Sequence, residues 1–278
     1  MMRSALPLIL ALLGAPWVPA QDKPAPGNVR DAQRTERAQQ LQVAVARLTK
    51  LAEKYSGLEF VEPPVVEAKT HREWRELIEE EILPGGDKSE VIKLTMTLVG
   101  LYLPHPPRVV LSPIVVGPLL AARPKEETRL LFERRVHTEG TIVHELVHAL
   151  QDQHYKLPTL LDATEDDEEI LLYKGLMEGH AVFVEARVAQ LEWKFQDFID
   201  RSSYRSFGAD PSYYFGHRYF SHVFREHGMK GVHERLANPP TYQQFSELAA
   251  KPLPEAPAKP DGEGKDKPGP PRDGSRPK

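Results

Sequence analysis

Apolar residues recur every three or four positions near the start of the chain, the spacing that places side chains on one face of an α-helix. The pattern predicts a helix that begins after residue 30 and ends at Gly57. Its apolar positions are Ala38, Leu41, Val45, Leu48, Ala52 and Tyr55. A capping box that starts at Thr70 predicts a second helix, which extends to about Ile82.

A third helix and two β-rich stretches follow. The helix begins at the cap-forming Asp87, carries apolar residues up to Leu101 and must end before the next proline. Residues 109–116 are β-branched and apolar and predict a strand, which Pro113 limits to a sheet edge or a bent strand. Residues 128–136 alternate apolar and charged side chains and predict another strand.

The second half of the chain is predicted to be helical, with one acidic interruption. Residues 141–150 are apolar on most sides, which is typical of a buried helix. Residues 162–169 contain six acids in eight positions. They predict a solvated loop before a helix over about 167–199, because a calcium site would need the glycine and the alternation of an EF-hand. Pro211 after an aspartate predicts the start of an aromatic-rich helix, and Thr241 caps a last short helix.

The apolar helix at 141–150 contains His144, Glu145 and His148 in the spacing HExxH. Two histidines four residues apart lie on one helical face, so both imidazoles can point a ring nitrogen at one metal ion, and zinc is the predicted metal. Glu145 is turned about 100° from His144 and can reach a metal-bound water, which makes it the candidate general base. The alternative is a core helix with internally bonded histidines, but a buried glutamate between them is costly without a compensating partner.

Composition limits the partners and the metal chemistry. The chain has 278 residues, of which 40% are hydrophobic and 27% are charged, and this predicts a single domain over residues 31–250. A formal net charge of -4 gives no general attraction to nucleic acid or to anionic membranes, so neither is a predicted partner. The chain has no cysteine, so disulfides and thiolate ligands are excluded and any metal must be held by histidine and carboxylate.

Both ends of the chain differ in composition from the predicted domain. Residues 1–20 have the form of a signal peptide, with Arg3, a short apolar run and a small-residue cleavage site, and predict a periplasmic or secreted protein. The apolar run is too short to span a bilayer, so no membrane span is predicted in the mature chain. Residues 21–30 predict a linker, and residues 251–278, rich in proline, glycine and charge, predict a disordered tail.

A catalytic zinc site typically needs a third protein ligand, and two residues are candidates. His154 stands where the pattern HExxHxxGxxH has its third histidine, but Gln151 replaces the glycine that turns the chain in that pattern. Glu178 lies on the next predicted helix among apolar neighbours, and Gly179 beside it would let that helix approach the HExxH helix closely. Spacing alone leaves both candidates open.

Further motifs accompany these residues: HELVHALQDQH at 144–154, EGxA at 178–181, Tyr213 with Gly216 and Phe220, and PPTxQQ at 239–244. Over about residues 130–250 the pattern resembles the poorly characterised bacterial gluzincin-type zinc metallopeptidase-like proteins. The resemblance implies that His144, His148 and Glu178 are the zinc ligands and that Glu145 is the base.

His180 stands where those proteins have an aspartate after the EG pair. It lies about 200° around the helix from Glu178, so we expect it to support a ligand or to point outward rather than to bind the same metal.

We therefore expect an α+β, mainly helical protein with a zincin-like catalytic domain, in which two packed helices carry the metal ligands beside a small sheet. The expected function is zinc-dependent hydrolysis of a peptide or protein substrate by water that Glu145 activates. The alternative is a non-catalytic zinc-containing binding or structural protein, although a structural site has no use for a base. Tyr213, Tyr214 and His217 are candidate oxyanion donors. The strand predicted at 128–136 either packs under the HExxH helix or forms an edge along which an extended substrate lies.

Overall fold

A computed structural model describes residues 28–120, 128–195 and 211–253. Most of its helices begin at a residue whose side chain caps the helix. Its helices are α1 (Asn28–Ser56), α2 (His71–Leu77), α3 (Lys88–Thr97), α4 (Pro113–Leu120), α5 (Arg129–Tyr155), α6 (Leu157–Ala163), α7 (Asp167–Leu191), α8 (Pro211–Ala237) and α9 (Tyr242–Ala250). A π-helical turn at Ile78–Ile82 continues α2. The described part is therefore mainly helical with a small sheet, as predicted for an α+β protein.

The sheet has three strands, β1 (Val65–Ala68), β2 (Gly100–Pro104) and β3 (Pro107–Leu111), in the order β1-β3-β2. β3 pairs in parallel with β1 and antiparallel with β2, and Val109 lies opposite both Val66 and Tyr102. Within the described residues β2 pairs on one side only, and it packs against α5. The position of β2 matters because α5 contains the HExxH sequence.

The contacts between residues divide the chain into two groups, residues 1–40 and residues 41–278. Of the first group the structure describes residues 28–40, which form the first part of α1. In the second group, α7 packs against both α5 and α8, and the main core collects apolar side chains from these three helices. A smaller cluster of Trp74, Leu77, Ile78, Val91 and Val110 joins α2 and α3 to the sheet.

Several predicted elements are confirmed. α1 ends at Ser56, directly before Gly57, which has a φ of 71°. The capping boxes of α2 and α9 form at Thr70 and Thr241, and Asp87 accepts backbone hydrogen bonds at the start of α3. The sequence patterns were informative here because a cap involves residues only two or three positions apart.

Other predicted elements are wrong. Residues 128–136 do not form a strand but begin α5, because Thr128 caps the helix and the alternating side chains also fit a helical turn. The strand predicted at 109–116 ends at Leu111, and Pro113 instead occupies the first position of α4, where a missing N–H costs nothing.

The remaining differences concern helix ends. α3 ends at Thr97, so Leu101 lies in β2, and α7 ends at Leu191 rather than near residue 199. α1 begins at Asn28, inside the predicted linker. The predicted signal peptide, the rest of the linker and most of the predicted tail lie outside the described residues. No helix in the described part of the chain is long and apolar enough to cross a membrane.

Candidate metal centre

Three of the predicted site residues, His144, His148 and Glu178, lie together between α5 and α7. Glu178 Oε2 lies 3.1 Å from His144 Nε2 and 3.3 Å from His148 Nε2. The potential ligand atoms of these three residues all lie within 4.8 Å of one another, and they form the group found among the described residues that could hold a metal ion. The facing sides of two helices therefore supply the group: α5 contributes the two imidazole nitrogens of His144 and His148, and α7 contributes the carboxylate of Glu178.

The other ring nitrogen of each histidine is bound to an acceptor behind it. His144 Nδ1 lies 3.3 Å from Glu185 Oε2, and His148 Nδ1 lies 2.9 Å from Gln151 Oε1. A carboxylate or an amide oxygen can only accept, so Nδ1 carries a proton in both rings and Nε2 faces Glu178. This is the arrangement in which a histidine can bind a metal through Nε2.

The buried carboxylates of the centre stabilise positive charge on nearby groups, as the pKa values of His144 and Glu178 indicate. Burial alone would lower the pKa of His144, but its hydrogen bonds to Glu178 and Glu185 raise that pKa well above its ordinary value. Burial would raise the pKa of Glu178, but His148 and His144 lower it. A divalent cation bound by this group would also compensate the negative charge of these carboxylates. A His–His–Glu donor set with an open position is a common zinc arrangement.

Glu145 stands beside the group but does not belong to it. It is 8% exposed, and the nearby backbone N–H of Tyr102 on β2 acts to lower the pKa of its carboxyl. A Cβ atom added to Gly100 would lie 3.0 Å from Glu145 Cγ, so the glycine leaves room for this side chain under β2. Burial raises the pKa of Glu145, although His144 and His148 act in the opposite direction. A carboxylate whose pKa is raised is better suited to accept and return a proton near neutral pH.

A cleft of about 290 Å³ opens onto these residues. Beside the metal-binding candidates and Glu145, its lining consists of Leu98, Gly100, Leu101, Tyr102, Pro104, Pro158, Leu161, Asp162, Met177 and Tyr213. β2 forms one wall, and one face of α6 contributes another. The strand beside the HExxH helix is thus β2, which precedes α5 by 25 residues or more in the chain, and not the region 128–136.

Glycines bring α8 against α7 and so place an aromatic side chain at the centre. A Cβ atom on Gly216 would lie 2.6 Å from Gly179 Cα and closer still to the carbonyl oxygen of Gly175. Gly179 was expected to allow close approach of α7 to the HExxH helix, but its close neighbour is α8. One turn before Gly216, the Tyr213 ring stacks on His144, with 6.0 Å between centroids and 16° between the ring planes.

The other predicted site residues lie around the centre rather than in it. Tyr214 accepts a hydrogen bond of 3.1 Å from Arg218, and buried His217 lies 3.4 Å from Ser221 Oγ; neither lines the cleft. Burial lowers the pKa of His217 to about 4. His180 is buried on α7 beside Gln151 of α5, and burial lowers its pKa to about 3.

The structure does not bring His154, the alternative third ligand, to the other two histidines. Its ring is exposed, and Nε2 donates to the carbonyl oxygen of Glu59 at 2.8 Å. Because α5 continues as a helix to Tyr155, no turn returns His154 towards the centre.

Three residues that contribute to the candidate metal centre were not predicted from the sequence. Glu185 lies two turns after Glu178 on the same helical face, and this seven-residue spacing could have indicated it. Gln151 lies one turn after His148, and this three-residue spacing could have indicated a contact between them. The role of Gly100 had no local signal, because it depends on a contact between residues 45 positions apart.

No protein-family model, curated protein or solved structure matches this chain.

Proposed function

We propose that the protein is a zinc-dependent peptidase with a zincin-like fold, in which His144, His148 and Glu178 hold the metal and Glu145 is the general base. The observation that carries the proposal is the convergence of two imidazole nitrogens and a carboxylate beside a buried glutamate that is not part of the group. The centre opens onto a cleft, which supports a catalytic role over a structural one, because structural zinc sites are usually closed by four protein ligands.

Zinc held by these residues would supply Lewis-acid chemistry, polarising a substrate carbonyl and increasing the acidity of water. Glu145 would take a proton from the attacking water and deliver it to the leaving amine. Glu145 lines the cleft, and the nearby Tyr102 backbone N–H favours the ionised form of the carboxylate by acting to lower its pKa. Tyr213, which stacks on His144 and lines the cleft, is the candidate group for stabilising negative charge on the substrate oxygen.

The strand edge and the apolar lining of the cleft support an extended peptide as substrate. β2 lines it and, within the described residues, pairs through one edge only, so its other edge can offer backbone hydrogen bonds to a peptide strand. The apolar lining from β2 and α6 would contact substrate side chains. Export to the periplasm or the medium is part of the same proposal and rests on the sequence of residues 1–20.

The test separates metal binding from hydrolysis. Purified protein should contain about one zinc per chain and cleave members of a diverse peptide library, and a chelator should abolish the cleavage. Glu145→Gln should keep zinc and fold but lower hydrolysis by about 10² or more, because the change is nearly isosteric and removes the base.

Glu168→Gln makes the same chemical change at an exposed position and should leave hydrolysis unchanged. Equal cleavage by wild type and Glu145→Gln would reject this mechanism. A zinc-loaded wild type that cleaves no member of the library would favour the non-catalytic, zinc-containing binding protein.

A further inference from the structure

The side chain of Gln151 is wholly buried between α5 and α7 and makes three hydrogen-bonding contacts. Its Oε1 lies 2.9 Å from His148 Nδ1. Its Nε2 lies 2.8 Å from the carbonyl oxygen of Met177 and 3.1 Å from His180 Nδ1. Gln151 thus connects a candidate metal ligand to two groups on the opposite helix.

The carbonyl of Met177 determines which way the amide points. A backbone carbonyl can only accept, so the atom of Gln151 that faces it must be the NH₂ group, and the amide oxygen must face His148. His148 then has to donate from Nδ1, so in the neutral ring the lone pair of Nε2 is available to a metal held by Nε2 and Glu178 Oε2, which lie 3.3 Å apart. A reversed amide would force the proton onto Nε2 of His148 and block metal binding there.

His180 reinforces this orientation at a cost. Its Nδ1 must accept the second amide hydrogen of Gln151, so its own proton lies on Nε2. Nε2 is buried and has no hydrogen-bond partner among the described residues, while the ring packs 5.4 Å from that of Phe220. An unpaired buried N–H is unfavourable, and an apolar residue at this position would avoid it but would leave the Gln151 hydrogen unpaired instead.

The two candidate histidine ligands therefore differ in what holds them. His144 donates to the carboxylate of Glu185, which accepts in any orientation, whereas His148 depends on a neutral amide that must point one way. We propose that Gln151 and His180 form a neutral pair that holds His148 in the tautomer able to bind the metal. Gln151 is then a positioning residue and not a ligand. This inference rests on the metal site of the proposed function.

The experiment measures zinc affinity rather than hydrolysis, by competition with a chromophoric chelator on the full chain. Gln151→Leu should weaken zinc binding by about 10- to 100-fold, the usual effect of removing the group that orients a metal-bound histidine. Gln153→Leu is the matched control, because Gln153 lies on the same helix and bonds the backbone of Val61 and Glu62 away from the centre. It should lower the melting temperature without changing zinc affinity.

Two further variants test the orientation itself and remain informative if Gln151→Leu does not fold. Gln151→Glu keeps an acceptor for His148, and its buried carboxyl in the protonated form can donate to the Met177 carbonyl and accept from His180 in its other tautomer, so zinc affinity should stay within about tenfold of wild type. His180→Leu removes one of two acceptors of the amide and should cause a smaller loss than Gln151→Leu. The visible absorption of the cobalt-substituted protein should change in the order of these losses.

Each outcome is decisive for the inference. Wild-type zinc affinity in Gln151→Leu, equal losses in Gln151→Leu and Gln153→Leu, or a loss in Gln151→Glu as large as that in Gln151→Leu would each overturn it while leaving the proposed function intact. If Gln151→Leu does not fold, a loss of more than about tenfold in Gln151→Glu, or wild-type affinity in His180→Leu, overturns it. A folded wild type that binds no zinc would overturn the proposed function and the inference together.

Discussion

Helix α7 has two buried faces of opposite chemistry. Towards α5 it presents Glu178 and Glu185, which bond the two histidines of the HExxH sequence. Towards α8 it presents Gly175 and Gly179, which contact the backbone at Gly216. The first interface brings together ionisable groups that need a counter-charge, and the second brings backbone atoms into direct contact at the glycines.

We expect the glycine interface to stabilise the fold and the polar interface to carry the proposed ligand binding. Buried carboxylates and imidazoles contribute little net stability until a cation or a proton compensates them, so they fit a role in the proposed ligand binding better than a role in stability. Backbone contact between glycines carries no such electrostatic cost and sets the distance between two helices. We expect substitutions in the glycine interface to unfold the protein, and substitutions in the polar interface to change its ligand affinity.

The largest expected effect follows from a side chain in the glycine interface. Gly216→Val would place atoms where the α7 backbone lies, and we expect a loss of about 3 kcal/mol or more in the free energy of unfolding. Chemical denaturation followed by circular dichroism measures it. Gly117→Ala on α4 is the control, because no atom lies within 4 Å of the added Cβ; it should be neutral or stabilise by up to about 1 kcal/mol. Wild-type stability in Gly216→Val would contradict the proposed role of this interface.

A substitution in the polar interface should instead separate affinity from stability. Glu178→Gln preserves size but removes the negative charge, so zinc affinity should fall by at least about tenfold while the zinc-free protein remains folded. Competition titration and thermal melting in the presence of chelator measure the two quantities. A Glu178→Gln protein with unchanged zinc affinity would remove Glu178 from the ligand set.

The pH dependence of stability should also originate in the polar interface. The pKa of His144 is raised above its ordinary 6.5, so its contribution to stability is complete below that pH and is lost as the pH rises through the folded-state pKa. The raised pKa of Glu145 acts in the same direction. The pKa of Glu178 is lowered from 4.5, so its contribution is present above that pH and is lost on acidification through the folded-state value.

The melting temperature of chelator-treated protein should therefore be highest near pH 6.5. Below that pH, the lowered pKa values of buried His180 and His217 make stability decrease on acidification, and above it the raised pKa of His144 makes stability decrease towards alkaline pH. Saturating zinc should reduce the alkaline decrease, because the cation replaces the proton on His144. Melting curves at a series of pH values, with chelator and with zinc, test this. A chelated protein whose melting temperature rises between pH 6.5 and 9 would show that the carboxylates are compensated by another group.

The smallest effect is expected outside both interfaces, at His154. His154→Ala removes one exposed hydrogen bond to Glu59, so stability should change by no more than about 1 kcal/mol and zinc affinity should stay the same. The zinc titration used for Glu178→Gln provides the comparison. A loss of affinity as large as that of Glu178→Gln would place His154 among the ligands and make the protein metzincin-like.

Sequence patterns predicted local features better than contacts between distant residues. The helix that carries His144, Glu145 and His148 was predicted, as were the caps at Thr70 and Thr241, because each involves residues within one or two turns. The strand predicted at 128–136 is wrong, because a short alternating run cannot show whether a neighbouring strand exists to pair with it.

The sequence alone places His144 and His148 on one helical face with Glu145 beside them, since the helical repeat has this effect wherever the helix packs. The tertiary structure was needed to show that Glu178 completes the group, that β2 lies against Glu145, and that Gly179 faces α8 rather than α5. Such contacts join residues that are far apart in the chain, and they depend on how whole helices and strands pack together. The orientation of Gln151 belongs to the same class, because the carbonyl of Met177 on another helix sets it.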